Sequence, residues 1–239
     1  MNRINYQREL ERLLDRLGKE RARAEAEGLP QPPPRLFLHS CCAPCSSYVM
    51  EYLCRYFSLT VFYYNPNISA AEEYGKRAAE QKRLIAAYNA EGKGFPIEIL
   101  EGAYAPAVFF EAVKGCEDCP EGGERCHRCY ELRLRETARL AGERGFDYFC
   151  TTLSISPLKD AEKLNEIGER LAGEYGIAWL PSDFKKKDGY RRSVELSAEY
   201  GLYRQDYCGC AYSRRKKEGR YVETDTEKIE TGQEMTRDK

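Results

Sequence analysis

From residue 35 onward the chain alternates short apolar runs with longer amphipathic ones, and this alternation limits the folds open to it. "RLFLHS" (35–40) reads as a buried strand. A helix over 44–57 follows, with Pro44 in its first turn, where a missing N–H costs little. The pattern then predicts a strand over 59–67, a helix over 71–92 stopped at Gly92, a strand over 95–101 and a helix over 122–145. Strands over 146–153 and 177–184, with helices over 159–176 and 189–201, complete the series. Strands separated by whole helices pair in parallel, and right-handed crossovers put helices on both faces. The expected fold is therefore α/β, a Rossmann-like parallel sheet. Ligands in such sheets sit at the carboxyl ends of strands. "SCCAPCSS", "TTLSISP" and "PSDFKK" all fall at those ends.

Three segments are expected. Residues 1–34 hold a charged helix over 3–27, with Leu10, Leu13, Leu14 and Leu17 on one face, and the stiff linker "LPQPPPR". Residues 35–213 form the α/β domain, and 214–239 a basic, then polar tail with few apolar residues. No internal repeat is visible. Apolar residues make up 42 % of 239, enough for the core of one such domain. A net charge of −1 means that any affinity for nucleic acid rests on local patches. No run reaches the length of a membrane span, and the N-terminus is too charged for a signal peptide, which predicts a cytoplasmic protein without membrane contact.

Eleven cysteines stand against that expectation of a reducing compartment. The count is odd, and cytosolic thiols stay reduced, so metal ligation or redox chemistry replaces a disulfide framework. The cysteines cluster as Cys41/Cys42/Cys45, Cys116/Cys119, Cys126/Cys129 and Cys208/Cys210. Cys41, Cys42 and Cys45 sit at a strand-to-helix turn, and Cys126 and Cys129 at the start of a helix, where the dipole favours thiolate. Two C-x-x-C corners supply four thiolates, enough for one zinc or one iron–sulfur cluster. Zinc on 116/119 and 126/129 leaves the adjacent Cys41–Cys42 and the "CGC" at 208–210 unexplained. The closely spaced Cys208–Cys210 pair suits a redox-active disulfide or a second metal. A cluster passes one electron at a time, so the pair, or a second iron, beside it would complete a two-electron device.

Weaker candidates are His39, read as a core histidine; His127, read as facing away from a metal; and Asp160 and Asp183, read as caps or solvated acids. Tyr63, Tyr64, Asn65, Pro66 and Asn67 close a strand where a base or ribose could dock. Basic runs with interleaved aromatics at 185–187, 190–192 and 212–217 suit a phosphate backbone.

Taken together, "LHSCCAPCSS", "FYYNPNI", "EEYGKR", "PEGGERCHRCYELRL", "FDYFCTTLSISPLKD" and "LPSDFKKKDGYRRSVELSAEYGLYRQDYCGCAYS" make the chain resemble the QueH-type epoxyqueuosine reductases from about 36 to 213. The resemblance implies a HUP-like catalytic domain that reduces epoxyqueuosine to queuosine at the wobble position of a tRNA anticodon loop, the last step of queuosine biosynthesis. It implies a 4Fe–4S cluster on Cys41, Cys42, Cys126 and Cys129, and a redox-active pair at Cys208 and Cys210. It also implies a possible additional iron, for which Cys45, Cys208 and Cys210 are the candidates, and an electron donor of open identity. Cys116, Cys119, the leading helix and its linker lie outside the resemblance. Two rival readings are an ATP-dependent tRNA-modifying enzyme and a zinc-stabilised RNA-binding module. The first needs a glycine-rich phosphate loop where this chain has "SCCAPCS".

Overall fold

A computed structural model describes residues 4–213. Five strands form one parallel sheet: β1 (Arg35–Ser40), β2 (Ser58–Tyr63), β3 (Ile97–Glu101), β4 (Tyr148–Thr151) and β5 (Ala178–Trp179), in the order β3-β2-β1-β4-β5. This is the expected Rossmann-like arrangement, with the reversal of strand order between β1 and β4. Seven helices accompany the described strands: α1 (Tyr6–Ala26), α2 (Ala43–Leu53), α3 (Ala71–Glu91), α4 (Pro106–Ala112), α5 (Glu124–Glu143), α6 (Ala161–Tyr175) and α7 (Gly189–Glu199). α2 packs against α3 and α7, and α5 against α6, one group on each face. Every residue of β1 after Arg35 is buried, as a central strand covered on both sides requires.

The amphipathic face of α1 docks: Leu10 and Leu14 are buried in the same apolar core as Leu36, Val49 and Phe149. No described helix is long and apolar enough to cross a membrane.

Three element ends depart from the pattern. β2 stops at Tyr63 rather than 67, because the Asn65 side chain takes over from the ladder and donates to the Ser40 carbonyl (2.9 Å). β4 stops at Thr151, whose hydroxyl accepts from the Leu153 N–H (3.2 Å) and turns the chain into a 3₁₀ segment, Thr152–Ile155. β5 keeps only two residues: Leu180 still donates to Phe149, but Pro181 has no N–H to continue. The short helix α4 was not anticipated. The tail 214–239, the basic residues 214–217 and residues 1–3 lie outside the described residues.

Candidate cysteine-lined active site

Cys41 follows β1 at the strand-order reversal, and Cys42 is the extended N-cap residue of α2, with Pro44 in the first turn. With Cys45, one turn on, they form a trio whose sulfurs all lie within 4.8 Å of one another, the only such group of potential metal ligands among the described residues. Cys41 and Cys42 sulfurs are 3.7 Å apart. Gln81 of α3 holds the turn from both ends. Its side-chain oxygen accepts from Ser40 (2.7 Å) before the trio and from Ser46 (2.8 Å) after it. Hydrogen bonds from Cys42 and Cys45, aided by Arg133, hold the Cys41 thiol well below its usual range. The same bond seen from the other side pushes Cys42 up to about 12 and Cys45 well up. One thiolate shared by two thiols is the state this trio favours.

The second group arrives from the far end of the chain. Arg77 of α3, buried and paired with Glu73 (2.6 Å), donates to the carbonyls of Tyr207 and Cys208 (both 3.3 Å). Asn67 also donates to Cys208 (3.2 Å), and the Ser69 N–H to the Gly209 carbonyl (3.1 Å). Gly209 has φ +102°, and a Cβ there would meet Ile68 at 2.8 Å, so only glycine lets the two flanking thiols approach to 3.3 Å. The hydrogen bond between the two sulfurs brings Cys208 down to about 5; burial opposes this, and the charge of Lys159 assists it. Cys210 is pushed up correspondingly.

The third group is Cys126 and Cys129 in the first turns of α5. The Gly122 N–H points at the Cys126 sulfur (3.3 Å). Burial raises Cys129, against the pull of Arg133. Arg133, one turn further, is itself buried, with each of its guanidinium nitrogens engaged: it donates to Asn65 (2.6 Å), to His39 Nε2 (3.2 Å) and toward the Cys129 sulfur (3.9 Å).

These groups converge. Cys41, Cys45 and Cys208 line a cavity of about 240 Å³ together with Arg77, Arg133 and Lys159. Cys126, Cys129, Cys208 and Cys210 line an adjoining space of about 20 Å³, again with Arg133 and Lys159. Six of the cysteines expected to act, Cys41, Cys45, Cys126, Cys129, Cys208 and Cys210, thus line these spaces at the carboxyl edge of the sheet, and the seventh, Cys42, is buried with its sulfur within 4.8 Å of those of Cys41 and Cys45. Cys116 and Cys119 line neither space. They share a turn (Cys119 N–H to Cys116 carbonyl, 3.1 Å) whose carbonyls are capped by Arg125, and the 116/119 and 126/129 corners are not drawn around one ion.

Other residues take different roles. His39 is a satisfied core histidine: burial, reinforced by Arg133, lowers it to about 3, so the neutral ring donates from Nδ1 to Thr151 (2.8 Å) and accepts from Arg133. His127 points toward Glu124 (4.0 Å). Asp160 caps α6, and Asp183 pairs with Lys185 (2.8 Å); neither lines the two spaces that the cysteines share. Tyr63, Tyr64, Asn65 and Asn67 cannot dock a base, because all four are buried. The basic runs are largely consumed in the fold: Lys187 pairs with Glu11, Arg192 grips Glu51 (2.8 and 3.0 Å), and Arg191 pairs with Asp188. Arg133, Lys159 and Gln81 were not singled out in the sequence. Their only signal is polarity on a helix face or in a loop, and their roles come from partners far away in the chain.

The model of the family described as "Epoxyqueuosine reductase QueH" matches residues 36–216. A protein of that name from Streptococcus pyogenes serotype M1 is 41 % identical over 213 residues, covering 89 % of this chain and 79 % of the relative. Its namesake from Staphylococcus epidermidis is 38 % identical over 216 residues, covering 90 % and 86 %. One from Thermotoga maritima is 33 % identical over 194 residues, covering 79 % and 94 %. The chain belongs to the epoxyqueuosine reductase QueH family.

Proposed function

We propose that this oxidoreductase reduces epoxyqueuosine at the wobble position of tRNA to queuosine. Two C–O bonds break, a C=C bond forms, two electrons and two protons enter, and the oxygen leaves as water. The observation that carries the reading is the convergence of six thiols on two adjoining spaces at the strand ends, with the Cys42 sulfur within 4.8 Å of those of Cys41 and Cys45. The donor set suits soft iron, and Arg133 and Lys159 offset the negative charge that several thiolates accumulate.

In this reading Cys41, Cys42, Cys126 and Cys129 hold a 4Fe–4S cluster. Such a cluster, when bound, supplies low-potential electrons one at a time. The four thiols that would hold it come from two different helix starts, those of α2 and α5. Cys208 and Cys210, with Cys45 also lining the larger cavity, complete the two-electron supply, either as a dithiol that gives up both electrons in closing to a disulfide and is then re-reduced, or as ligands of an additional iron that would give one electron beside the one from the cluster. The 3.3 Å contact between their sulfurs suits the dithiol form. An external electron donor restores the reduced state. An anticodon loop, whose bases splay out of the stack, can reach the cavity mouth, where Leu158 is 72 % exposed and Tyr207 lies beside Arg77.

The test is anaerobic purification followed by iron, sulfide and zinc analysis, and incubation of the reduced protein with tRNA bearing epoxyqueuosine. About four irons and four sulfides per chain, or a fifth iron, with nucleosides shifted to queuosine, is the expected outcome. Cys126→Ala should lose the cluster, whereas Cys208→Ala should keep it and lose turnover. Colourless protein with stoichiometric zinc after reconstitution with iron and sulfide would sink the reading.

A further inference from the structure

Three cationic side chains line the larger cavity, and two are committed elsewhere. Arg77 is tied to Glu73 and two carbonyls, and Arg133 to Asn65, His39 and Cys129. Lys159 is not committed. Among the described residues its ammonium has no hydrogen-bond or ion-pair partner, although the side chain is mostly covered. Its backbone is fixed by the turn in which its N–H donates to Ser156 (3.2 Å), directly before the Asp160 cap of α6. An unpaired ammonium withdrawn from water is costly unless anions surround it. Burial works against its charge, but the neighbouring Cys208 thiolate favours it, and the group stays protonated. With Arg133 and Cys208, Lys159 is one of three residues that line both spaces.

The smaller space carries a second sign of a missing occupant. Three of its lining residues hold buried polar atoms without a partner: the Tyr130 hydroxyl, Asn67 Oδ1 and Arg125 Nε. Tyr130 is 1 % exposed, and the usual rule is that a buried hydroxyl is hydrogen-bonded. At about 20 Å³ the space has room for one water-sized oxygen. A reaction that strips one oxygen atom from its substrate needs donors on that oxygen while it leaves, and a place for it afterwards.

We propose that Lys159 is the catalytic residue that binds the departing epoxide oxygen, donating a hydrogen bond to it while the C–O bonds break, with the Tyr130 hydroxyl as a second donor and the small cavity receiving the water formed. This role rests on the reductase reading above and names the group that acts on the oxygen. The two electrons come from the reduced enzyme, the two protons come from solvent, and the ammonium keeps its own. Each guanidinium nitrogen of Arg77 and of Arg133 is already engaged with the protein, which leaves Lys159 as the uncommitted cation.

The test uses full-length, anaerobically reconstituted wild type, Lys159→Met, Lys159→Arg and Tyr130→Phe, each reduced with dithionite and freed of excess reductant. Single-turnover conversion of epoxyqueuosine tRNA is measured beside oxidation by ferricyanide, which takes electrons but has no oxygen to release. Iron and sulfide content, midpoint potential and tRNA affinity are measured on the same samples. Removing one preorganised donor from a developing oxyanion typically costs about 100- to 1,000-fold. Lys159→Met should lose at least ~100-fold in epoxide conversion at unchanged tRNA binding, while ferricyanide rate and potential move far too little to account for it although a cation beside the thiolates has gone. Lys159→Arg should recover part of that loss, and Tyr130→Phe should lose about tenfold, less than a full donor's share because the lysine remains. Conversion by Lys159→Met within threefold of wild type overturns the proposal. So does a change in potential or ferricyanide rate large enough to explain the loss, since Lys159 would then act on the electron store rather than the oxygen. A cluster-loaded wild type that leaves the epoxide intact overturns the reductase reading itself, and this role with it.

Discussion

Gln81 offers a quantitative test of how the cysteine turn is held. Its side chain is wholly buried, and its single carbonyl oxygen accepts from both Ser40 and Ser46. Gln81→Met keeps the approximate shape, so the packing change costs less than about 1.5 kcal/mol. The polar change costs more. The Ser40 hydroxyl loses its acceptor in a buried site, about 1–3 kcal/mol. Ser46 keeps an alternative in the Ala43 carbonyl (3.1 Å) and loses less, about 1 kcal/mol. A total of about 2–4 kcal/mol follows, which in a domain of this size lowers Tm by about 5–15 °C. The assay is urea unfolding of the reduced, metal-free chain, followed by the fluorescence of its one tryptophan, Trp179. The midpoint should fall while the slope stays constant. Adding Ser40→Ala then removes the stranded hydroxyl. The double variant should be no less stable than Gln81→Met alone, although Ser40→Ala destabilises the wild type, a coupling of more than about 0.5 kcal/mol. A loss under about 1 kcal/mol, or strictly additive effects, would refute the clamp.

Gly168→Ala should lower stability by about 1–3 kcal/mol although alanine is the better helix former, because the new Cβ would meet the Trp179 ring at 2.3 Å; a raised Tm would count against this packing. In the reduced, metal-free chain, iodoacetamide mapped by mass spectrometry should modify Cys208 and Cys41 ahead of the other cysteines at pH 7. The Cys208 rate should stay level from about pH 8 to 6 and halve near pH 5, and Cys210→Ala should move that midpoint upward; an unchanged profile would exclude the thiol–thiolate bond as its cause. His39 stays neutral in the fold down to about pH 3, whereas the unfolded chain protonates it near 6.5, so its contribution is level above 6.5 and falls by about 1.36 kcal/mol per pH unit below. The stability gap between wild type and His39→Gln should therefore shrink by about 2 kcal/mol between pH 7 and pH 5, and parallel pH profiles would contradict the assignment.

Much of this molecule is written in local pattern. The central strand β1 falls where its apolar run lies, and α3 ends at Gly92, which takes the left-handed conformation that stops a helix. The cysteines announced a site because they cluster along the chain, and the parallel topology then brings their clusters to one edge. What escaped notice depends on distant partners. Arg133 acquires its meaning from Asn65 and His39, Gln81 from Ser40, and Lys159 from thiols contributed by other elements. Helix α4 is too short to establish a period and starts at Pro106, which reads equally as a turn. Tyr63 and Tyr64 looked like a stacking platform because aromatic residues at a strand end suit either a ligand or the core, and only the overlying α3 and α5 decide for the core.

The wide spacing of the thiols along the chain has a consequence for biosynthesis. Cys45 leaves the ribosome 163 residues before Cys208. At about 5–20 residues per second, the early trio waits roughly 10–30 s for its later counterparts. During that interval Cys41, Cys42 and Cys45 are a free three-thiol nest, without the α5 pair or the Cys208–Gly209–Cys210 segment that shares their cavity edge. Thiolate sites rank metals by softness and availability rather than by destination, so a nascent chain can capture zinc or copper before the cluster proposed above is deliverable. Faithful loading then favours insertion after release, and expression under excess zinc or copper should raise the mismetallated fraction more than the same ions added to the finished protein.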